Sequence, residues 1–238
     1  MQHLGFTRSV RRADHLLQTP DTFIRAPLPG MQRATAIVHA GPAIGAAFTQ
    51  YTAEFEAAGT LAPASLQRFI YVIDGSVRVD GRTLGTGDFA YLPPGVGVIE
   101  ATQPARAAVI EKPYQALTDV APSEGLVGRE QDVAISLIGD EPTIEVKSLI
   151  PDEAAFDFRM SVLTYQPGAA LPQVEIHVME HGLIMLAGGG IYRLGHHWYP
   201  VQAGDFIYMA PFCPQWFGAL GKEPARYLLY KDWARHPQ

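Results

Sequence analysis

Ile73-Asp74-Gly75-Ser76-Val77-Arg78-Val79, followed by Gly87-Asp88-Phe89-Ala90-Tyr91-Leu92-Pro93, recurs in altered form further along the chain. The second copy is Leu186-Ala187-Gly188-Gly189-Gly190-Ile191-Tyr192 and Gly204-Asp205-Phe206-Ile207-Tyr208-Met209-Ala210-Pro211. Each copy reads as strand, glycine turn, strand, Gly-Asp turn and a further apolar strand. The offsets are 188 − 75 = 113 and 204 − 87 = 117, so the later copy carries four extra residues. A polar hairpin tolerates length change, which puts them at the turn Gly195-His196-His197.

Working outward, each copy has β-rich flanks. Residues 35–39, 48–55 and 106–111 belong to the first half, and 144–149, 156–165 and 227–231 to the second. Phe156-Asp157-Phe158-Arg159-Met160-Ser161-Val162 alternates at period two, the mark of a half-buried strand. The repeat and aromatic content favour strand over helix for residues 50–59. Between the halves, residues 113–142 carry Pro113, Pro122, Gly125, Gly128, Gly139 and Pro142 and read as a linker with one short paired segment. The expectation is two tandem β-barrels or sandwiches of about 110 residues each, divided as 1–120 and 121–238.

Composition agrees and narrows the partners. Hydrophobic residues make up 47% of the 238, enough to build a core, which excludes an intrinsically disordered chain. Gly 23 and Pro 19 fit many short strands joined by tight turns. The net charge is −6 with no basic run, so no nucleic-acid partner is expected. No apolar stretch approaches a membrane span and the N-terminus lacks a signal-peptide core, so a soluble cytoplasmic protein is expected. The single cysteine, Cys213, excludes a disulfide framework and reads as a small buried hydrophobe.

The strongest local signal is Glu175-Ile176-His177-Val178-Met179-Glu180-His181. On a strand, Glu175 and His177 share a face, and His181 has the same parity and rejoins them after a turn. Two imidazoles and a carboxylate on one side form a transition-metal donor set. Tyr227 and Lys231 are four apart, so they too share a strand face. Glu180 reads as a solvated residue or as one supporting the ligands. Arg193 and Arg226 read as structural ion-pair formers, His196 and His197 as hairpin residues, and Trp216 and Phe217 as pocket walls.

The spacing Glu175-x-His177-x3-His181-x6-Gly188 resembles the first cupin motif, with the acid and one histidine exchanged. The second motif places a ligand eleven residues past Gly204, at Gln215. The resemblance implies an all-β bicupin, two tandem jelly-roll barrels. The same count in the first half lands on Ala62, Ala64, Arg68 and Val98, so the N-terminal barrel is expected to hold no metal. An oxygen-rich set without sulfur suits Mn2+ or Fe2+ better than a structural zinc.

Longer runs sharpen the likeness: His177-Val178-Met179-Glu180-His181-Gly182, Ile191-Tyr192-Arg193-Leu194-Gly195, Cys213-Pro214-Gln215-Trp216-Phe217 and Tyr227-Leu228-Leu229-Tyr230-Lys231-Asp232. They resemble the (S)-ureidoglycine aminohydrolase family, manganese bicupins that release ammonia from (S)-ureidoglycine and leave (S)-ureidoglycolate. The resemblance implies metal ligands Glu175, His177, His181 and Gln215, substrate contacts Tyr192, Tyr227 and Lys231, and a homo-oligomer. Glu175 and Lys231 are the expected catalytic residues, Lys231 moving the proton. A cupin dioxygenase or isomerase acting on another small organic acid, or a non-catalytic small-molecule binder, are the competing readings.

Overall fold

The computed structural model describes residues 6–139, 141–233 and 235. Among them the only helical elements are three one-turn 3-10 segments, Pro20–Thr22, Pro42–Ile44 and Glu130–Asp132; the rest is strand and turn. No helix is long and apolar enough to cross a membrane among the described residues.

The N-terminal barrel is one antiparallel sheet. Its central order runs Leu126–Arg129, Asp88–Leu92, Gln67–Asp74, Ala105–Lys112, Thr49–Leu61, Ile99–Ala101, Ser76–Val79, Arg82–Gly85, and Met31–Ala40 also pairs with Thr49–Leu61. The C-terminal barrel has two sheets. The larger runs Val10–Arg11, His15–Gln18, Phe206–Met209, His181–Ala187, Ala225–Lys231, Arg159–Tyr165, Glu141–Ser148, Ser136–Ile138, and the smaller His197–Gln202, Gly189–Leu194, Gln215–Ala219.

The repeat survives residue by residue in the pairing register. Arg68 faces Leu92 and Glu111 in one barrel, and His181 faces Met209 and Lys231 in the other. The glycine turns coincide as well. Gly75 and Gly188 have φ of 76° and 64°, and a Cβ there would meet the carbonyl oxygens of Pro104 and Pro224 at 2.6 and 2.5 Å. Only glycine tolerates both the left-handed backbone and that close approach.

Three expectations change. Both hairpins have two-residue turns, Asp80-Gly81 and Gly195-His196; the four extra residues lengthen the strands from 4 to 6 on each side. Residues 156–158 precede the strand, which begins at Arg159, and Phe156 and Phe158 anchor the core between the barrels instead. The linker contains two paired segments. Strand pairing also crosses residue 120 in both directions: His15–Gln18 joins the C-terminal sheet through Phe206–Met209, and Leu126–Arg129 joins the N-terminal one through Asp88–Leu92. Strand exchange satisfies sheet edges that would otherwise expose unpaired amides.

Each barrel has its own apolar interior, and a third cluster lies between them. There Phe48 packs on Tyr230 with ring centroids 4.0 Å apart, and Tyr91 meets Phe156 edge-on at 5.1 Å. Buried Lys112 of the first barrel reaches Asp157 at 3.2 Å and Asp232 at 2.8 Å in the second. The barrels are therefore joined by charge as well as by packing.

Candidate active site

The segment from Leu171 to Glu180 is not the continuous strand its alternation suggests. Only Glu175 forms a ladder contact, a single bridge to Gln215, with Glu175 N–H donating to the Gln215 carbonyl at 2.8 Å and Gln215 N–H returning at 2.9 Å. His177 lies in the following loop, where its carbonyl accepts from the Phe212 N–H at 2.7 Å, and His181 opens the strand His181–Ala187. Extended backbone keeps the alternation: Ile176 and Val178 point outward while Glu175 and His177 are half-buried. The backbone bridge thus sets the first and fourth expected ligands side by side, although 40 positions (215 − 175) separate them in sequence.

The side chains converge accordingly. Glu175 Oε2 lies 3.0 Å from His177 Nε2, and the rings of His177 and His181 are edge-on with centroids 5.0 Å apart. Gln215 Oε1 accepts from the Tyr192 hydroxyl at 3.2 Å. The hydroxyls of Tyr165 and Tyr227 are 2.9 Å apart. Glu175, Gln215, Tyr192, Tyr227 and Lys231 all line one cavity of about 320 Å3.

Burial sets the electrostatics. The Glu175 carboxyl is held below its ordinary value, first by the hydrogen bond from His177. His181 is driven well below the usual imidazole range by burial, reinforced by Lys231 and His177, so the ring is neutral. Lys231 is lowered by burial, with Glu175 opposing. Tyr192 and Tyr227 are pushed well up by burial and stay protonated donors.

The donor types of this set suit a divalent ion; Glu175 and Gln215 line the cavity, whereas His177 and His181 are not among its lining residues. His181 Nε2 is fully buried and has no hydrogen-bond partner, a state that otherwise costs about 1–3 kcal/mol. Two imidazoles, one carboxylate and one amide oxygen are the donors that Mn2+ or Fe2+ accepts.

Other expectations are refined by contact. Glu180 is buried rather than solvated: Oε1 accepts from Ala47 N–H at 2.9 Å and Oε2 from the Tyr208 hydroxyl at 3.0 Å, linking the barrels beside His181. Arg226 does pair, with Glu130 at 2.5 Å, whereas Arg193 lies over the Trp198 ring at 5.6 Å and donates to the Gly195 carbonyl. Phe217 backs the tyrosines, 5.5 Å from the Tyr192 ring and 5.7 Å from that of Tyr227, but Trp216 faces away and donates to the Leu171 carbonyl. Arg159, Ser161, Tyr165 and Trp233 also line the cavity and were not anticipated. The period-two row Arg159-Ser161-Leu163-Tyr165 was the signal that could have found the first three.

A second gathering of donor groups, Asp14, His15 and Cys213, is already satisfied. His15 Nδ1 meets Asp14 at 2.8 Å, Nε2 meets the Tyr199 hydroxyl at 2.9 Å, and burial raises the Cys213 thiol to about 12.

Two jelly-roll barrels with a polar constellation inside the second define a bicupin, and residues 161–230 match the cupin domain family. The chain is 39% identical over 241 aligned positions to (S)-ureidoglycine aminohydrolase from Arabidopsis thaliana, covering 98% of this chain and 80% of that protein. It is 29% identical to the Escherichia coli protein of the same name, over 94% of this chain and 90% of the other. The crystal structure of protein Ylba from E. coli superposes with a TM-score of 0.85 at 26% identity, over 98% and 96% of the two chains. The chain belongs to the (S)-ureidoglycine aminohydrolase family.

Proposed function

We propose that the cavity of the C-terminal barrel is the catalytic centre for releasing ammonia from (S)-ureidoglycine, with (S)-ureidoglycolate as product, a step of purine and allantoin breakdown. The observation that carries the assignment to this cavity is the convergence of Glu175, Gln215, Tyr192, Tyr227 and Lys231 on it, with the orphaned His181 nitrogen among the ligand set. Glu175, His177, His181 and Gln215 would hold the ion, with Mn2+ the expected metal. Such an ion, when bound, supplies a fixed positive charge for substrate oxygens and lowers the pKa of water.

The protein's own groups account for the rest. The central carbon of ureidoglycine bears an amine, a ureido nitrogen and a carboxylate. Replacing the amine needs a proton delivered to the leaving nitrogen and an oxygen nucleophile at carbon. Water supplies that oxygen and the C–N bond breaks as the amine takes up a proton, so ammonia leaves with its electron pair. Lys231, its basicity reduced by burial, moves that proton. Tyr227 donates a hydrogen bond to a substrate oxygen, its hydroxyl oriented by that of Tyr165, and Tyr192 contacts substrate by exchanging its present bond to the Gln215 amide oxygen. Glu175 balances the positive charge that Lys231 and the ion bring into the cavity.

A homo-oligomer is the expected working form, and Ile176 and Phe212, 61% and 62% exposed beside the ligand segment, are apolar side chains that it would cover. The deciding experiment is ammonia release from freshly generated ureidoglycine by chelated protein, with and without restored Mn2+. A metal-dependent rate well above spontaneous decay is expected; no such rate defeats the proposal.

A further inference from the structure

We propose that Arg159 binds the carboxylate of the substrate and so selects for an anionic ligand; this rests on the reaction proposed above. Arg159 opens the strand Arg159–Tyr165, directly opposite Lys231 in the register, and the same-parity residues Ser161, Leu163 and Tyr165 line the cavity with it. The pleat therefore aims its side chain inward.

Its guanidinium lies over the Trp233 ring, 4.6 Å from the centroid, and Trp233 also lines the cavity. This cation–π contact braces the guanidinium at the cavity wall, with Nε still available to a ligand. Its donors are underused. Nε is buried without a hydrogen-bond partner, and among the described residues Nη2 has one ionic contact, with Asp152, whose side chain is 77% exposed at the cavity rim. A buried guanidinium whose Nε lacks an acceptor, and whose one ionic partner is a rim carboxylate mostly in solvent, matches a ligand carboxylate better than it matches water. Charge points the same way. Of the two anions lining the cavity, Glu175 is engaged by His177 and Asp152 stands mostly in solvent, while Arg159 and Lys231 supply two cations. Lys231 must exchange a proton during turnover, so the permanently charged Arg159 is the group suited to hold an anion throughout.

The substrate keeps its carboxylate from start to finish. Contact with Arg159 is thus equally strong in ground and transition states, and its loss should raise KM and leave kcat in place. The test uses ureidoacetate, which has the carboxylate and ureido group but no leaving amine, and its neutral amide. Calorimetric binding is measured for wild type, Arg159→Lys and Arg159→Met, both metal-free and Mn2+-loaded, alongside steady-state kinetics. Arg159→Met should weaken ureidoacetate roughly 30–100-fold and leave the amide unchanged, with Arg159→Lys between the two. KM for ureidoglycine should rise in parallel with kcat within about threefold. Equal ureidoacetate affinity in wild type and both variants overturns the inference, as does a fall in kcat at unchanged KM. If loaded wild type releases no ammonia yet still discriminates acid from amide through Arg159, the reaction falls and the carboxylate site stands.

Discussion

The two barrels share one frame and treat their interiors in opposite ways. In the C-terminal barrel the His181 position carries an imidazole whose Nε2 has no partner. In the N-terminal barrel the equivalent position is Arg68, and Glu111 stands where Lys231 does. Arg68 Nε and Nη2 reach Glu111 at 2.8 and 2.6 Å, the Tyr51 hydroxyl donates to the same carboxylate at 2.9 Å, and Nη1 reaches the carbonyl of Ala62 at 2.8 Å. Ala62 is the counterpart of Glu175 (175 − 113). A guanidinium tethered to the chain thus spans the two positions where the other barrel carries the proposed metal ligands Glu175 and His181. A cavity of about 480 Å3 persists beside Arg68, larger than the one of about 320 Å3 at Lys231. Volume therefore does not distinguish the two interiors; what differs at this position is whether the polar groups already have partners.

Four experiments press on this contrast. The largest effect is expected from Lys231→Met, which should lower kcat by roughly 100-fold or more at unchanged metal content, the usual weight of a proton-transfer group. Near-normal turnover would remove Lys231 from the mechanism. The opposite barrel should respond in stability alone. Arg68→Met strands the Glu111 carboxylate and should cost about 3 kcal/mol in denaturant titration, while activity per folded molecule holds. A matching loss of activity would mean that the first barrel takes part in the chemistry.

A third test uses a buried imidazole that needs no metal. His39 has both nitrogens engaged, Nδ1 with Gln18 and Nε2 with Thr52, each at 2.8 Å, and burial lowers its pKa to about 3. The unfolded chain binds its proton near 6.5, so this contribution is intact above that pH and is lost as pH falls toward about 3. His39→Gln should flatten the acid limb of melting temperature against pH; an unchanged limb would assign it to other groups. The smallest effect is expected at Glu180. Burial raises its carboxyl, so ionisation costs stability as pH rises past the unfolded value. Glu180→Gln should be stabilising by less than about 1 kcal/mol at pH 8, with the difference shrinking toward pH 4. A large loss at pH 8 would show that the charge itself holds Ala47 and Tyr208.

The candidate site was legible where chemistry is local. Glu175, His177 and His181 are close in sequence, and their spacing identified them although the supporting strand proved to be a loop. Gln215, Tyr192, Tyr227 and Lys231 needed the family resemblance, because an amide, a phenol or an amine on a strand carries no distinctive pattern. Arg159 escaped because the strand was begun at Phe156, three residues early, and a charged residue in alternation reads as solvent-facing. Glu180 escaped for the converse reason: its partner Ala47 lies in the other barrel, and no periodicity reports a contact across 133 positions.

By itself the sequence determined two copies of a strand-and-glycine-turn unit and a donor cluster surviving in only one, since alternation, positive-φ turns and ligand spacing are all short-range. Tertiary structure decided where the four extra residues went and which strands crossed between barrels. It also decided that Arg68 fills in one barrel the space that Glu175 and His181 flank in the other. Those outcomes depend on burial and on which buried polar atoms find partners, and that is settled only when distant segments pack together.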